Sequence, residues 1–105
     1  MHHAPCVYIL ASRTHRLYIG VTSNLQRRWF EHEAGIKSRF PQAYRINRLV
    51  LAEFAPSMAD AIKREKQLKG WTRRKKLALI DSANPSWTDL AEAYGWKRRS
   101  FDCAP

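Results

Sequence analysis

The chain has 105 residues, close to the commonest size of one domain, so we expect a single compact domain over residues 1–105. Its 19 Lys and Arg exceed its 9 Asp and Glu and give a formal net charge of +10, which favours an anionic partner and makes nucleic acid the expected one. No stretch is long and apolar enough to span a membrane and no signal-peptide pattern is present, so we expect a soluble cytoplasmic protein without a membrane partner.

The first elements form a predicted β-hairpin. Two apolar, β-rich runs, CVYILAS over residues 6–12 and RLYIGVT over residues 16–22, flank a polar turn centred on Arg13. Residues equidistant from that turn face each other, so Tyr8 and Tyr18 are expected to form a cross-strand pair on one side of the sheet.

A helix and a third strand follow the hairpin. The spacing of Ser23 and Gln26 is that of a capping box, which predicts a helix over residues 24–34. A basic loop over residues 36–47 then leads to RLVLAEFA, residues 48–55, which we expect to be a strand paired with the hairpin.

The last part of the chain is predicted to be helical. Ser57 caps a predicted helix over residues 58–69, and the next helix is expected over residues 72–83. The capping spacing of Ser86 and Asp89 predicts one short final helix before a basic tail. The expected architecture is therefore ββαβαα, with a core over 6–84 and an added helix and tail over 85–105.

One carboxylate falls where an apolar side chain is expected. In the helix over 58–69, Ala61, Ile62 and Leu68 mark the predicted buried side, and Glu65 lies among them. An ion pair with an arginine is one interpretation, because buried charges are usually paired. The other is a hard oxygen ligand for Mg²⁺, which typically uses one or two carboxylates with waters and a substrate phosphate.

Two polar side chains lie beside the buried side of the first predicted helix. Leu25 and Trp29 mark that side, and Arg28 and His32 stand one turn apart next to them. An arginine can bind a phosphate through two hydrogen bonds, and a histidine can accept a proton near neutral pH. Ordinary roles are as consistent with this pattern, since Arg28 is one of 19 basic residues.

The tyrosines of the hairpin also allow two interpretations. Tyr8 and Tyr18 can be a core aromatic pair, or they can present hydroxyls to a substrate. Gly20 lies on the same side of the sheet and would let a ligand or a helix approach closely.

Taken together, these positions resemble one known family. Cys6-Val7-Tyr8 and, ten residues on, Tyr18-Ile19-Gly20 resemble the paired tripeptides of the GIY-YIG nucleases. The second tripeptide matches fully, whereas the first keeps the tyrosine but not the preceding glycine and isoleucine. Arg28 falls where the family has its phosphate-contacting arginine, His32 where members carry histidine or tyrosine, and Glu65, within REKQLKGW, where they have the metal-binding glutamate. The chain is most similar to the small members without an attached DNA-recognition domain.

The resemblance implies an α+β fold, with a three-stranded antiparallel sheet flanked by helices, and an endonuclease that hydrolyses phosphodiester bonds with little sequence specificity. DNA is expected as the substrate in preference to RNA. One divalent ion, Mg²⁺ or Mn²⁺, is expected on Glu65, and Arg28 on the phosphate. We assign Tyr8 as the general base, with its pKa lowered by neighbouring cations, His32 as its proton acceptor or orienter, and Tyr18 as a positioning hydroxyl, while which of Tyr8 and His32 is the primary base stays open.

Two positions fit the resemblance less closely. Val21 stands where the repair nucleases often carry a lysine or similar polar group. Asn84 resembles the family's trailing asparagine, although an Asn-Pro that ends a helix is an equal interpretation. Asn84 is therefore grouped with Gly20 as a supporting residue of the site.

Basic side chains and one tryptophan are expected to contact nucleic acid. They are Lys37, Arg39, Lys69, Trp71, Arg73, Arg74, Lys75, Lys76 and the tail residues 97–99. A solvated charged face around a core tryptophan is the alternative interpretation.

Two other functional classes compete with the nuclease. A non-catalytic nucleic-acid-binding module of the same fold would explain the charge and the aromatic residues, and a basic ribonucleoprotein component would explain the charge alone. Zinc binding is not indicated, because Cys6 and Cys103 lie far apart without a CxxC or Cys/His cluster. The preferred substrate structure, the pathway and the oligomeric state stay open.

Overall fold

A computed structural model describes residues 4–34, 46 and 48–96 of the chain. Within this part, the elements follow the predicted order, with a short extra helix at the end. They are β1 (Cys6–Ala11), β2 (Leu17–Thr22), α1 (Leu25–Ala34), β3 (Arg48–Phe54), α2 (Met58–Lys69), α3 (Arg73–Ala83) and α4 (Leu90–Ala93). The α+β fold class predicted from the sequence is confirmed.

The three strands form one antiparallel sheet in the order β2-β1-β3. The central strand β1 is buried at every position, because neighbouring strands cover its edges and helices cover both of its faces. This explains why its sequence is apolar throughout rather than alternating. The expected pairing of the third strand with the hairpin is confirmed, and β1 is the partner.

The predicted pairing within the hairpin is wrong by two residues. Tyr8 lies opposite Gly20, and Tyr18 lies opposite Leu10. The turn is longer than expected: the amide of Ser12 donates to the carbonyl of Arg16 at 3.0 Å, which encloses five residues centred on residue 14. Because the shift is even, both tyrosines still lie on one side of the sheet.

The sheet divides the buried side chains into two layers. One layer joins odd-numbered residues of β1 to α2 and α3, and the other joins even-numbered residues to α1 and α4. The first includes Val7, Ile9, Ala61, Leu68 and Ile80; the second includes Tyr8, Leu10, Leu25, Trp29 and Ala91. The predicted buried positions of α1 are confirmed, but Ile62 of α2 is 37% exposed and was wrongly assigned to the buried side.

Of the three predicted caps only Ser57 is confirmed, and Thr72, which was expected to be the first residue of a helix, is the cap of that helix. Ser57 caps α2 and Thr72 caps α3, each accepting a backbone N–H three residues later. Helix α1 is capped by Asn24 instead of the predicted Ser23, because the Asn24 side chain accepts the amide of residue 27 at 3.1 Å. Helix α4 is likewise capped by Asp89 rather than Ser86.

Strand β3 is tied to the last helices by side chains that satisfy its backbone. A bulge leaves Val50 as an extra residue between Leu49 and Leu51, and the Asn84 amide donates to the Val50 carbonyl at 3.1 Å. The buried Asp89 carboxylate accepts the amide of Leu49 at 3.2 Å while it caps α4. Both residues lie beyond strand β3 in sequence but complete its hydrogen bonding.

The hairpin turn is fastened to the loop after α3. His15 and Trp87 both have left-handed backbone conformations, with φ of 67° and 53°, and their rings stack at 3.9 Å. Arg73 donates to the His15 carbonyl at 2.7 Å. No helix in the described part of the chain is long and apolar enough to cross a membrane.

The position opposite Tyr8 tolerates no side chain. A Cβ atom at Gly20 would overlap the Tyr8 hydroxyl, whereas one at Gly70 would make only ordinary contacts of 3.5 Å or more. We therefore expect Gly20→Ala to lower the free energy of unfolding by about 1–3 kcal/mol, the usual cost of overpacking. Chemical denaturation of Gly20→Ala beside the control Gly70→Ala checks this, and equal stability of the two variants would contradict it.

Candidate active site

The centre of the candidate site is a hydrogen bond between a strand and a helix. The Tyr8 hydroxyl and Nε2 of His32 lie 3.1 Å apart, and both residues are buried. Strand β1 directs Tyr8 toward α1, and Leu25 and Trp29 pack α1 onto that face of the sheet. The predicted contact between these two residues is thus present in the free protein.

Tyr18 completes an aromatic group with the same two residues. Its ring centroid is 5.3 Å from that of His32 and 6.3 Å from that of Tyr8. Tyr18 lies on the edge strand β2 and is only half-buried, whereas Tyr8 is 1% exposed. Of the two hydroxyl groups, that of Tyr18 is therefore on the more accessible residue.

Arg28 stands beside this group and has a partner that the sequence analysis did not select. Its Nε lies 3.2 Å from Oε1 of Glu31, and its side chain is 33% exposed. The i,i+3 spacing of the two residues on α1 is the signal that predicts such a pair.

The pKa of Tyr8 moves in the direction opposite to expectation. Burial raises it well above its ordinary value, nearby Tyr18 adds to the increase, and the charge of Arg28 opposes it. Arg28 alone therefore does not bring the pKa of Tyr8 below its ordinary value, and the expected contribution of a bound metal ion stays a prediction. Desolvation outweighs the arginine, so the phenol loses its proton less readily than an ordinary tyrosine does.

His32 is held in its neutral form. Burial lowers its pKa from the ordinary value of 6.5, and the positive charge of Arg28 lowers it further, while Glu31 opposes both. A neutral imidazole can accept a proton, so His32 is suited to receive the proton of Tyr8.

Glu65 is placed by a different element. Ala61 and Leu68 pack α2 against the sheet face opposite α1, and Glu65 lies between them with a side chain only 15% exposed. Its carboxylate is 3.0 Å from Nζ of Lys69, so its ion-pair partner is a lysine of the same helix. The structure thus groups Tyr8, Tyr18, His32 and Arg28 on one face and places Glu65 on the helix of the other.

The donor set of the described residues fits magnesium better than zinc. No group of three or more His, Cys, Asp and Glu side chains that could hold a metal ion occurs in residues 4–34, 46 and 48–96. A structural zinc site needs about four such ligands. A largely buried single carboxylate such as Glu65 fits Mg²⁺, which takes waters and substrate oxygens as its other ligands.

Several of the predicted nucleic-acid contacts have partners within the protein. Lys69 pairs with Glu65, Arg73 donates to the hairpin turn, and the Lys75 ammonium lies 4.4 Å from the centre of the Trp71 ring. The Arg64 guanidinium also lies over that partly buried ring, 5.2 Å from its centre, so Trp71 already contacts two cations of the protein.

Other predicted residues take structural roles or lie beyond the described part. Asn84 bonds the β3 bulge and, through both amide atoms, the backbone of Thr88, which is the helix-ending interpretation. Cys6 is buried and reduced, and burial raises the pKa of its thiol to about 12. Lys37, Arg39 and the tail residues 97–99 lie outside the described residues.

Comparison with known proteins identifies the family. The GIY-YIG catalytic domain matches residues 4–78, which include the five predicted site residues. This chain belongs to the GIY-YIG family. The family is of nuclease type and acts on nucleic acid.

Individual relatives within the family are small proteins. A UPF0213 protein of Staphylococcus haemolyticus is 33% identical over 71% of this chain and 92% of its own length. A UPF0213 protein of Syntrophus aciditrophicus is 37% identical over 70% of this chain and 86% of its own. The solution NMR structure of UPF0213 protein BH0048 from Bacillus halodurans has a TM-score of 0.54 at 28% identity, and covers 84% of this chain and 94% of that one. The resemblance to small single-domain members is confirmed.

The lowered pKa of His32 predicts a stability that depends on pH. The unfolded chain takes up this proton near pH 6.5 and the folded chain resists it, so the unfolded state binds more protons as pH falls below that value. We expect the free energy of unfolding to decrease from neutral pH downward, and to do so less steeply in His32→Gln. Urea denaturation of both proteins between pH 7 and pH 5 measures this difference. Parallel curves would show that His32 is not held neutral by the fold.

Proposed function

We propose that this chain is a metal-dependent endonuclease that cleaves nucleic acid, DNA in preference to RNA, with little sequence specificity. The observation that carries the proposal is the buried hydrogen bond between Tyr8 and His32 with Arg28 beside it. A phenol, a neutral imidazole and a guanidinium at one place are the groups that phosphodiester hydrolysis needs: a proton relay and a stabilised phosphate.

The proton relay runs from water through Tyr8 to His32. A protonated phenol cannot take a proton from water unless its own proton leaves at the same time. His32 accepts that proton at Nε2, and the Tyr8 oxygen then accepts one from the attacking water. The water oxygen bonds to phosphorus while the ester oxygen departs with its electron pair.

Arg28 and Tyr18 bind the phosphate in this proposal. The guanidinium offers several N–H donors to the phosphoryl oxygens, where negative charge accumulates in the transition state. Tyr18 lies on the sheet edge and is half-buried, so its hydroxyl can orient the phosphate toward Tyr8.

Glu65 is the residue that would hold Mg²⁺ or Mn²⁺. When bound, the ion supplies a Lewis acid that polarises the phosphate and stabilises the leaving oxygen. Helix α2 packs against the edge strand β2, which carries Tyr18 on its other face. A substrate phosphate at this edge is therefore the point at which Glu65 and the tyrosine group would act together.

The helices α2 and α3 supply the surface that would bind the rest of the nucleic acid. Exposed Lys63, Lys66 and Arg74 follow these helices, and no acidic residue lies in the first turn of α3. Arg74 lies in the first turn of α3, next to the positive end of the helix dipole, and the two positive charges repel each other. An anionic partner would relieve this repulsion.

A non-catalytic nucleic-acid-binding module is the second candidate. It is favoured by the ion pairs of the free protein, because Arg28 is paired with Glu31 and Glu65 with Lys69. In such a module both pairs would be purely structural. The two experiments below distinguish this candidate from the enzyme.

Replacing the tyrosines with phenylalanine tests the relay. Tyr8→Phe keeps ring packing but removes the hydroxyl that contacts His32, so cleavage should fall on the order of a hundredfold or more. Tyr18→Phe should raise KM more than it lowers kcat, because that hydroxyl only orients the phosphate. Steady-state cleavage of a labelled DNA, with melting curves as the folding control, measures both. Wild-type rates in folded Tyr8→Phe would remove the relay.

Replacing each partner of the α2 ion pair tests Glu65. Glu65→Gln and Lys69→Gln break the same contact, but only the first removes the carboxylate. Glu65→Gln should abolish Mg²⁺-dependent cleavage while DNA binding persists, and Lys69→Gln should retain cleavage at saturating DNA.

Cleavage, DNA binding and thermal melting are measured on both variants together. If Glu65 serves only the ion pair, the two variants should lose similar stability and cut DNA alike. If the wild-type protein binds DNA but does not cut it in Mg²⁺ or Mn²⁺, the binding module replaces the enzyme as our conclusion.

A further inference from the structure

Glu31 lies in the candidate site without a part in the proposed reaction. One of its carboxylate oxygens is 3.2 Å from Nε of Arg28, and the other is 4.0 Å from Nε of Arg27. The Glu31 side chain is 19% exposed, against 63% for Arg27. Two guanidinium groups of α1 therefore converge on one largely buried carboxylate.

The influence of Glu31 extends beyond an ordinary helix ion pair. Its negative charge raises the pKa of His32, whereas the positive charge of Arg28 lowers it. Both charges therefore act on the imidazole that contacts Tyr8. The carboxylate stands beside the very groups to which a substrate phosphate must come.

Carboxylates and phosphates bind arginine through the same donors. The planar guanidinium donates to either anion with similar geometry, so a phosphate that binds Nε of Arg28 has to displace Glu31 from that nitrogen. The chain has 9 acidic and 19 basic residues. One of the acidic residues, Glu31, lies in the candidate site, where it reduces the positive charge that faces the substrate.

We propose that Glu31 is an internal competitor for the substrate phosphate. In the free protein it occupies Arg27 and Arg28, and a phosphate of the nucleic acid displaces it and binds both arginines. The inference rests on the proposed function and adds Arg27 to it as a second phosphate-binding residue. Glu31 then sets the affinity of the site for anions.

The experiment compares two neutralised glutamates of the same helix. Glu31→Gln and Glu33→Gln remove the same charge, but Glu33 is exposed. Binding of a short fluorescent duplex DNA is measured by anisotropy in EDTA, so that cleavage plays no part. We expect Glu31→Gln to bind about two- to fivefold more tightly than Glu33→Gln, the range that corresponds to a partly exposed ion pair.

A second comparison shows whether the effect passes through the arginines. With both Arg27→Gln and Arg28→Gln in place, the advantage of Glu31→Gln over Glu33→Gln should disappear. A merely structural Glu31 would change the melting temperature without this dependence. If Glu31→Gln proves less stable than wild type, Glu31→Ala, with its high helix propensity, takes its place in both comparisons.

Equal affinity of the two glutamine variants, or weaker binding by Glu31→Gln, overturns the competitor role. An advantage that survives loss of both arginines overturns it as well. These measurements need neither metal nor cleavage, so their failure leaves the proposed nuclease standing. Conversely, a wild-type protein that binds DNA without cutting it ends the nuclease proposal while the comparison at Glu31 keeps its meaning.

Discussion

The burial of one phenol governs the arrangement of the candidate site. Tyr8 lies in the central strand, where both faces are covered, and its buried hydroxyl has a polar partner in His32 of α1. The missing side chain at Gly20 leaves the room that the Tyr8 ring and hydroxyl occupy. Desolvation keeps the imidazole neutral in the free protein, and a neutral imidazole is the form that can accept the proton of Tyr8.

The charged groups of the site follow a second rule. Arg28 and Glu65 each have a counter-ion one turn away on the same helix. This pairing offsets part of the desolvation cost of a partly buried charge. In the free protein, these charges are thus already neutralised by counter-ions of the same helix. A substrate phosphate would have to displace Glu31 from Arg28, and a metal ion would have to displace Lys69 from Glu65. The affinity of the site for both would therefore be higher if these two ion pairs are weak.

Much of the fold and of the site follows from local sequence signals. Strand alternation and helix spacing place Tyr8 on one sheet face and His32 beside the buried side of α1, but it was the family resemblance that predicted their contact. The register of Tyr18 was beyond reach, since it is set by backbone hydrogen bonds within residues 12–16. The i,i+3 spacing of Arg28 and Glu31 predicts an ion pair, but it does not indicate that the pair lies in the candidate active site. Ile62 is exposed because α2 buries a narrower stripe than apolar spacing suggests.

The hydrogen bonds of β3 to Asn84 and Asp89 show that the folded domain extends beyond the segment that matches the family. The part of the chain that the family shares ends at residue 78, inside α3. The carbonyl at the bulge of Val50 and the amide of Leu49 are nevertheless satisfied by side chains beyond that point. A protein cut at the limit of family similarity would leave these buried backbone groups of β3 without the side chains that bond them. The segment that matches the family's catalytic domain is thus shorter than the segment that satisfies the backbone of β3.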